Sequence, residues 1–178
     1  QVVFAENQVA ETYFYSVSAG VSAGIKEVWF AKKDRSYLMP CVLLGDSRKT
    51  LDLQKEADFS KFLKDETKSY DANSPWYRWR TTVSEKQLQQ FISEKIKSRY
   101  EKNPTQIQTK QKDGTFFSTG QTELGEIKKV EILKRGKSGV AVMAQITGSK
   151  NTLRIYTEYN LRNLFGGEKL IYLRKDKK

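Results

Sequence analysis

The second half of the chain has the most regular alternation of apolar and polar residues. Three runs, at 126–133, 140–147 and 152–156, repeat with a period of two and are separated by two turns that contain glycine, 136–139 and 148–151. Strands joined by such short turns pair in antiparallel fashion. Thr157 is the expected N-cap of a helix over 158–165, Gly166 its stop, and a last strand is expected at 169–173. The pattern predicts an antiparallel meander followed by a short helix.

Two earlier stretches repeat their apolar residues at helical spacing. They cover residues 55–64 and 84–100, and in the second Ser84 and Gln87 form a capping-box pair. The apolar faces consist of Phe59, Phe62 and Leu63 in the first helix and of Leu88, Phe91, Ile92 and Ile96 in the second. Residues 103–125 are polar with few apolar anchors, and we expect a long loop or a marginal hairpin there.

The first 53 residues show shorter runs that are typical of strands. These runs are 2–5, 9–15, 28–31 and the apolar stretch 37–44, which is predicted to be a buried strand that holds Cys41 as a small buried side chain. The expected fold class is therefore α+β, mainly antiparallel sheet with two to four helices packed on it. We expect one domain over 1–178, divided into 1–80, a helix at 81–105, a loop at 106–125, and the meander with its helix at 126–178.

Composition narrows the classes of function. The 178 residues include 32 Lys and Arg against 21 Asp and Glu, a net charge of +11. An anionic partner such as nucleic acid, an anionic membrane or a cell-wall polymer fits this charge, and so does a solvated basic surface. The chain has no His and one Cys. These counts exclude an internal disulfide, a His/Cys zinc site, and the Ser-His-Asp and Cys-His mechanisms, so we expect no metal or cofactor.

Small residues and hydroxyls interrupt an aromatic run near the start of the chain. Residues 11–29 are Glu-Thr-Tyr-Phe-Tyr-Ser-Val-Ser-Ala-Gly-Val-Ser-Ala-Gly-Ile-Lys-Glu-Val-Trp. This order resembles the signature of the SpoIID/LytB family, the sporulation lytic transglycosylases and amidase enhancers of the bacterial cell wall. The matching positions are Tyr13, Phe14, Ser16, Ser18, Gly20, Glu27, Val28 and Trp29. Tyr15, Val17 and Ala19 depart from it, standing where the family has His, Thr and its first Gly.

Further segments extend the resemblance over most of the chain except 106–123. They are the aromatic element at 74–79 and the segments 125–139, 146–150 and 161–166. The resemblance implies an extracytoplasmic protein, at the cell surface or membrane-anchored when full-length, that acts on peptidoglycan glycan strands. It also implies a cell-wall amidase as a second partner.

The family's catalytic Glu lies in a segment of the form Glu-x-Tyr-Leu-x-Gly-Val-Val, before the aromatic signature. This chain holds no match to that segment, nor to the family's closing Gly-His-Gly-Val-Gly-Met-Ser-Gln motif. We therefore expect a trimmed portion of the family domain that depends on the missing N-terminal segment for catalysis. Whether the chain is itself an enzyme stays open.

Candidate site residues come from the signature and the aromatic element. Glu27 is a weak catalytic candidate, because an apolar neighbour would raise the pKa of its carboxyl, and its alternative is a structural role. The expected substrate-binding residues are Tyr13, Tyr15, Ser16, Ser18, Gly20, Trp29, Trp76 and Arg78. Aromatic faces stack on sugar rings and Arg pairs with carboxylates.

Packing and turn bonding are the alternatives for these residues. At strand spacing, Trp76 and Arg78 would share one face, and Tyr77 and Trp79 the other.

Three functions follow, and the resemblance favours the first. It is a lytic transglycosylase of cell-wall glycan, in which this chain supplies the binding scaffold. The second is a non-catalytic glycan-binding or amidase-enhancing module. The third, a nucleic-acid binder, has only charge and aromatics behind it, without an RNP, KH or helix-turn-helix pattern, so no nucleic-acid partner is expected.

Overall fold

Short strands and turns form the N-terminal part of the molecule. A computed structural model describes residues 2–29, 31, 35–44, 52–64 and 69–166. The elements before residue 65 are β1 (Phe4–Ala5), β2 (Gln8–Val9), β3 (Val21–Ser22), helix α1 (Ile25–Val28), a 3-10 turn (Ser36–Leu38), β4 (Cys41–Val42) and helix α2 (Glu56–Lys64). β1 pairs with β2 and β3 with β4, both antiparallel.

The apolar stretch 37–44 is not the buried strand that its composition predicts. Only Cys41 and Val42 are extended, and both are exposed. Pro40 precedes them and has no N–H to donate, so the strand cannot extend backwards through it. The prediction of a buried Cys41 is therefore wrong, and so is the strand at 28–31, because Val28 closes α1 instead.

A five-stranded antiparallel sheet forms the main body of the chain. Its strands are β5 (Ile107–Lys110), β6 (Phe116–Phe117), β7 (Ile127–Arg135), β8 (Ala141–Gly148) and β9 (Thr152–Tyr156), in the spatial order β6-β5-β9-β8-β7. The meander β7-β8-β9 confirms the prediction from alternation. Of the two alternatives predicted for residues 103–125, a loop or a hairpin, the hairpin forms, since β5 pairs with β6, and β5 also pairs with β9 inside the sheet. The α+β fold class is confirmed.

Two helices cover one face of this sheet. They are α3 (Glu85–Lys102) and α4 (Glu158–Leu164). Ile107, Ile146 and Leu153 from the strands are fully buried, and the helices add side chains such as Ile92 and Leu164 to the same cluster. Full burial of each such side chain stabilises the fold by roughly 1.5–3 kcal/mol. The core therefore lies between the sheet and α3 and α4.

The helix caps follow the prediction at α3 but only partly at α4. Ser84 and Gln87 form the predicted capping box. Thr157 precedes α4 with a φ of 73°, and its side chain makes no capping bond. Its hydroxyl instead donates to Gln106 at 3.4 Å. The predicted strand at 169–173 lies outside the described residues.

A buried polar network joins the C-terminal end of α3 to the start of α4. The Arg99 guanidinium is 7% exposed and donates from two nitrogens to Oδ1 of Asn160, at 2.8 and 2.6 Å. Asn160 is fully buried and donates in turn to Gln106 and to the carbonyl of Tyr156. The ring of Tyr159 lies 4.7 Å from the Arg99 guanidinium. Each buried donor and acceptor thus has a partner, as burial demands.

Among the helices in the described ranges, none has the length and apolar character to cross a membrane.

Candidate functional site

Four aromatic residues in the first 29 positions are exposed, and we call them together the aromatic surface: Tyr13, Phe14, Tyr15 and Trp29. The rings of Tyr13 and Trp29 are stacked, with centroids 4.8 Å apart and planes tilted by 31°. Phe14 and Tyr15 are 90% and 54% exposed. Exposed apolar patches mark binding sites in soluble proteins, and aromatic faces suit flat ligands. The aromatic surface is therefore suited to stacking on a sugar ring.

Ser18 ties the following loop to a segment 53 residues further along the chain. Its backbone N–H and its hydroxyl both donate to Oδ2 of Asp71, at 2.7 and 2.8 Å. These two bonds, first the backbone one and then the hydroxyl one, hold the pKa of Asp71 below its ordinary value of 3.8. The Ser18 hydroxyl is buried and also accepts the N–H of Gly20. Ser18 therefore holds the loop in place.

Gly20 allows two segments to approach the loop closely. Its φ is +103°, in the region that favours glycine, and a Cβ there would lie 2.5 Å from Leu44 Cδ2 and 3.5 Å from the hydroxyl of Tyr77. Its carbonyl accepts the N–H of Leu43 at 2.8 Å. A side chain at this position would separate the loop from the neighbouring segments.

Residues 69–79 form a series of turns, which we call the turn segment. Successive backbone hydrogen bonds of 2.9–3.1 Å join residues three apart between Ser69 and Tyr77. Arg78 has a φ of +48°, which is incompatible with an extended strand. The expectation that Trp76 and Arg78 share one strand face is therefore wrong.

Arg78 connects the turn segment to the loop and to α2. Its Nε donates to the carbonyl of Ala19 at 3.2 Å. Its guanidinium lies 4.2 Å from the ring centroid of Phe62 and 4.9 Å from that of Tyr77. Cation–π contacts of this kind hold a guanidinium in a fixed position. In this structure Arg78 stabilises the junction of three segments.

The two other predicted binding residues near this junction are Ser16 and Trp76. Ser16 is exposed, and Trp76 is half-buried in the turn segment. Trp79, which is not among the predicted binding residues, is 37% exposed. The backbone N–H of Trp76 donates to the hydroxyl of Ser74 at 3.2 Å. Ser16 and Trp79 are thus accessible to a ligand, whereas Trp76 also belongs to the packing of the turns.

The Glu27 carboxylate is held by donors from two elements. It accepts the N–H of Gly24 at 3.1 Å, which closes the capping box of α1. It also accepts the backbone N–H of Ser138 at 3.3 Å and the Ser138 hydroxyl. A Cβ at Gly136 would overlap this carboxylate. The arrangement is typical of a structural tie between α1 and the β7–β8 turn.

The structure thus brings together two stretches that the sequence predicts separately. Loop residues 16–24 and the turn segment meet through Ser18 and Arg78, with β4 and Leu44 beside them. Sequence reasoning missed Asp71 and Tyr77 as partners, because nothing in the pattern around them distinguishes these side chains from ordinary polar and aromatic residues. The Glu27 carboxylate joins the end of this loop, at Gly24, to the β7–β8 turn at Ser138.

The described residues contain no group of three or more His, Cys, Asp or Glu side chains that could hold a metal ion. Hydrogen bonding and aromatic stacking are the chemistry that this site offers.

Comparison with known families gives one match. A family described as Domain of unknown function (DUF8618) matches residues 23–175 of the chain, a range that includes α1, the turn segment, the whole sheet and α4. No curated protein and no solved structure matches the chain.

Proposed function

The chain belongs to the DUF8618 family, whose description gives no function, and from the likeness of residues 11–29 to the SpoIID/LytB signature we propose that it is a peptidoglycan-acting protein of that type. In this proposal, a lytic transglycosylase cleaves cell-wall glycan strands outside the cytoplasmic membrane. This chain binds the glycan for that enzyme.

One observation supports this proposal above the others. The eight residues that the sequence predicts for substrate binding lie in two stretches more than forty positions apart, and these stretches are joined by the Ser18 and Arg78 contacts. The aromatic surface lies on one of these stretches, with Tyr13 stacked on Trp29. Sugar recognition commonly combines an aromatic platform with hydroxyl and amide groups, and both are present here.

The proton-transfer step is assigned to a carboxylate outside the residues of this chain. A lytic transglycosylase needs one carboxylate that acts as acid and then as base, since the muramic 6-hydroxyl attacks its own anomeric carbon. Glu27 already accepts hydrogen bonds from Gly24 and from two groups of Ser138. A carboxylate with these partners is not available to a substrate oxygen, which favours a scaffold role for the chain.

The second candidate function is a non-catalytic module that enhances a cell-wall amidase. It uses the same aromatic surface, and Tyr15 in place of the family His favours it, because a histidine is the usual side chain for proton transfer and this position has none.

A sedimentation and digestion experiment tests the proposal. Purified peptidoglycan is incubated with the chain, the pellet is assayed for bound protein, and the supernatant is analysed by mass spectrometry for 1,6-anhydromuramyl products. We expect binding without such products. Trp29→Ala should weaken binding about tenfold, because it removes a stacking face.

Phe117→Ala is the matched control, because Phe117 is an exposed aromatic (58%) on a different part of the molecule. If both variants weaken binding equally, or if the wild type does not sediment with peptidoglycan, the proposal fails. If anhydromuramyl products form, the scaffold assignment is wrong and Glu27→Gln becomes the first catalytic variant to measure.

A further inference from the structure

A row of polar side chains crosses the sheet on the face opposite the core. The strand register aligns Gln108 of β5 with Arg154 of β9, Arg154 with Gln145 of β8, and Gln145 with Glu131 of β7. Side chains alternate between the faces of a strand, and the neighbours Leu153 and Ile155 are buried on the core side. The four aligned residues therefore lie on the other face, which we call the polar row. Each of them is half-buried.

Arg154 is the cation at the centre of the polar row. Its guanidinium lies 3.7 Å from the ring centroid of Phe116, and its Nε donates to Oε1 of Gln145 at 3.4 Å. Within the described ranges no carboxylate forms an ion pair with Arg154, since the carboxylate in the row, Glu131, pairs with Lys129 at 2.7 Å. Among the described residues, the row therefore presents a positive charge that pairs with no carboxylate.

The amides beside Arg154 are oriented as donors. Oε1 of Gln108 accepts the hydroxyl of Tyr156 at 3.1 Å, and Oε1 of Gln145 accepts from Arg154. With both carbonyl oxygens occupied, each amide has its NH₂ group left for another molecule. The centre of the row thus offers a guanidinium with one amide NH₂ group on each side. A ligand that binds there must supply hydrogen-bond acceptors and negative charge.

The dimensions of the row suit an extended ligand. Adjacent strands are about 4.8 Å apart, so four aligned side chains extend over about 14 Å. A guanidinium binds a carboxylate through two parallel hydrogen bonds, and amide donors suit sugar hydroxyls and acetamido carbonyls. The net charge of +11 also favours an acidic polymer over a neutral one.

We propose that the polar row is a second saccharide site, which binds a carboxylate-bearing glycan strand with Arg154 on the carboxylate and Gln108 and Gln145 on neighbouring sugar groups. The site is separate from the aromatic surface and does not rest on the function proposed for it. Two polysaccharides have the required chemistry, the muramyl units of peptidoglycan and polymers of uronic acids.

Calorimetric titration with three probes tests this site. The probes are the disaccharide N-acetylglucosaminyl-N-acetylmuramic acid, a trigalacturonate, and neutral chitotriose. We expect binding of at least one acidic probe to weaken about tenfold or more in Arg154→Gln, because a charge-assisted hydrogen-bonded pair is lost. Arg154→Lys, which keeps the charge without the two-pronged geometry, should give a smaller loss. Binding of the muramyl probe alone assigns the site to peptidoglycan, and binding of the uronate assigns it to carboxylated glycans in general.

Arg162→Gln is the matched control, since Arg162 is an exposed arginine on α4 that pairs with Glu158. It should leave the affinity within about twofold, because α4 covers the core face of the sheet and the polar row lies on the opposite face. In the wild type, amide chemical shifts should move at residues 108, 145 and 154 on addition of the acidic probe, a readout that needs no variant. The proposal is overturned if no acidic probe shifts the amides of residues 108, 145 and 154, if those shifts persist unchanged in Arg154→Gln, or if chitotriose moves the same amides as strongly as the acids do.

The two proposals fail separately. Loss of peptidoglycan sedimentation in Trp29→Ala with an unchanged titration in Arg154→Gln rejects the polar row and leaves the aromatic surface. The reverse result rejects the aromatic surface and leaves the polar row.

Discussion

The two halves of the described chain are held together in different ways. Between Ile92 and Leu164, ten apolar side chains form one buried cluster across α3, the sheet and α4. Before residue 80, the buried apolar side chains among the described residues are Ile25, Leu53 and Phe62. That half is joined to its neighbours mainly by individual polar contacts, such as those of Ser18, Glu27 and Arg78, and it exposes many apolar groups.

This difference assigns stability to the sheet half and ligand recognition to the N-terminal half. Apolar burial is additive and supplies most of the folding free energy, so the sheet half should unfold as one unit. A region with few buried contacts opens locally at a lower free energy. The proposed aromatic surface lies in that region, where side chains can face a ligand without weakening the core.

The largest expected effect is in the sheet core. Ile155→Ala removes a fully buried side chain and should lower the free energy of unfolding by about 3–4 kcal/mol. Phe14→Ala, at a 90% exposed position in the other half, should change it by no more than about 0.5 kcal/mol. Urea unfolding measures both. Comparable losses would mean that the N-terminal half is a second core and would break the comparison.

The second-largest loss in free energy of unfolding is expected in the buried network between α3 and α4. Asn160→Ala leaves the Arg99 guanidinium without its acceptor and removes one of the two donors to Oε1 of Gln106, and should cost about 3 kcal/mol. Asn163→Ala is the control, because Asn163 makes one bond to the Tyr159 carbonyl and is half-buried. Its expected cost is about 1 kcal/mol. Equal melting temperatures for the two variants would contradict the assigned role of the network.

Removal of the Glu27–Ser138 contact, which joins the two halves, should lower the free energy of unfolding by a smaller amount. Glu27→Ala and Ser138→Ala each remove one side of the contact, and each should cost about 1–2 kcal/mol. The double variant should cost little more than either single one, because both remove the same interaction. Hydrogen exchange at residues 24–28 should quicken in all three proteins. Fully additive losses would show that Glu27 and Ser138 act independently.

The smallest effect is a local change with pH at Asp71. Its pKa is lowered, so the ionised carboxylate stabilises the fold above the ordinary value of 3.8 and loses that contribution as the pH falls through the lowered value. The chemical shift of the Ser18 amide proton should titrate with a midpoint below 3.8, and Asp71→Asn should abolish the transition. A midpoint at or above 3.8 would show that the loop does not depend on this contact.

The sequence predicts the sheet half well because its signals are local. Alternation and glycine turns identify the meander, and Ser84 with Gln87 identifies the start of α3. The N-terminal half is less predictable, since its strands are two residues long and their positions depend on distant contacts. Pro40, which packs close to Gly24, ends the strand that the apolar run 37–44 predicts.

The candidate site likewise contains residues that the sequence predicts and residues that it does not. Ser18, Gly20 and Arg78 stand out in the sequence because of their residue types and their place in a recognisable pattern. Their partners Asp71 and Tyr77 do not, because only the folded chain brings them within reach. The polar row was missed as well, since no single strand shows it and it depends on the register of four.

The Arg99–Asn160 network gives the core a resistance to acid that the other half lacks. A guanidinium keeps its proton and an amide does not titrate, so protonation removes no acceptor from this network. At the adjacent α4, burial raises the pKa of Glu158 against the opposing effect of Arg162, so the folded state takes up this proton more readily than the unfolded chain and gains stability as the pH falls. In the N-terminal half, by contrast, the contact between Ser18 and Asp71 ends on a carboxylate whose pKa is lowered by these hydrogen bonds. Acid should therefore release this loop contact while the sheet stays intact.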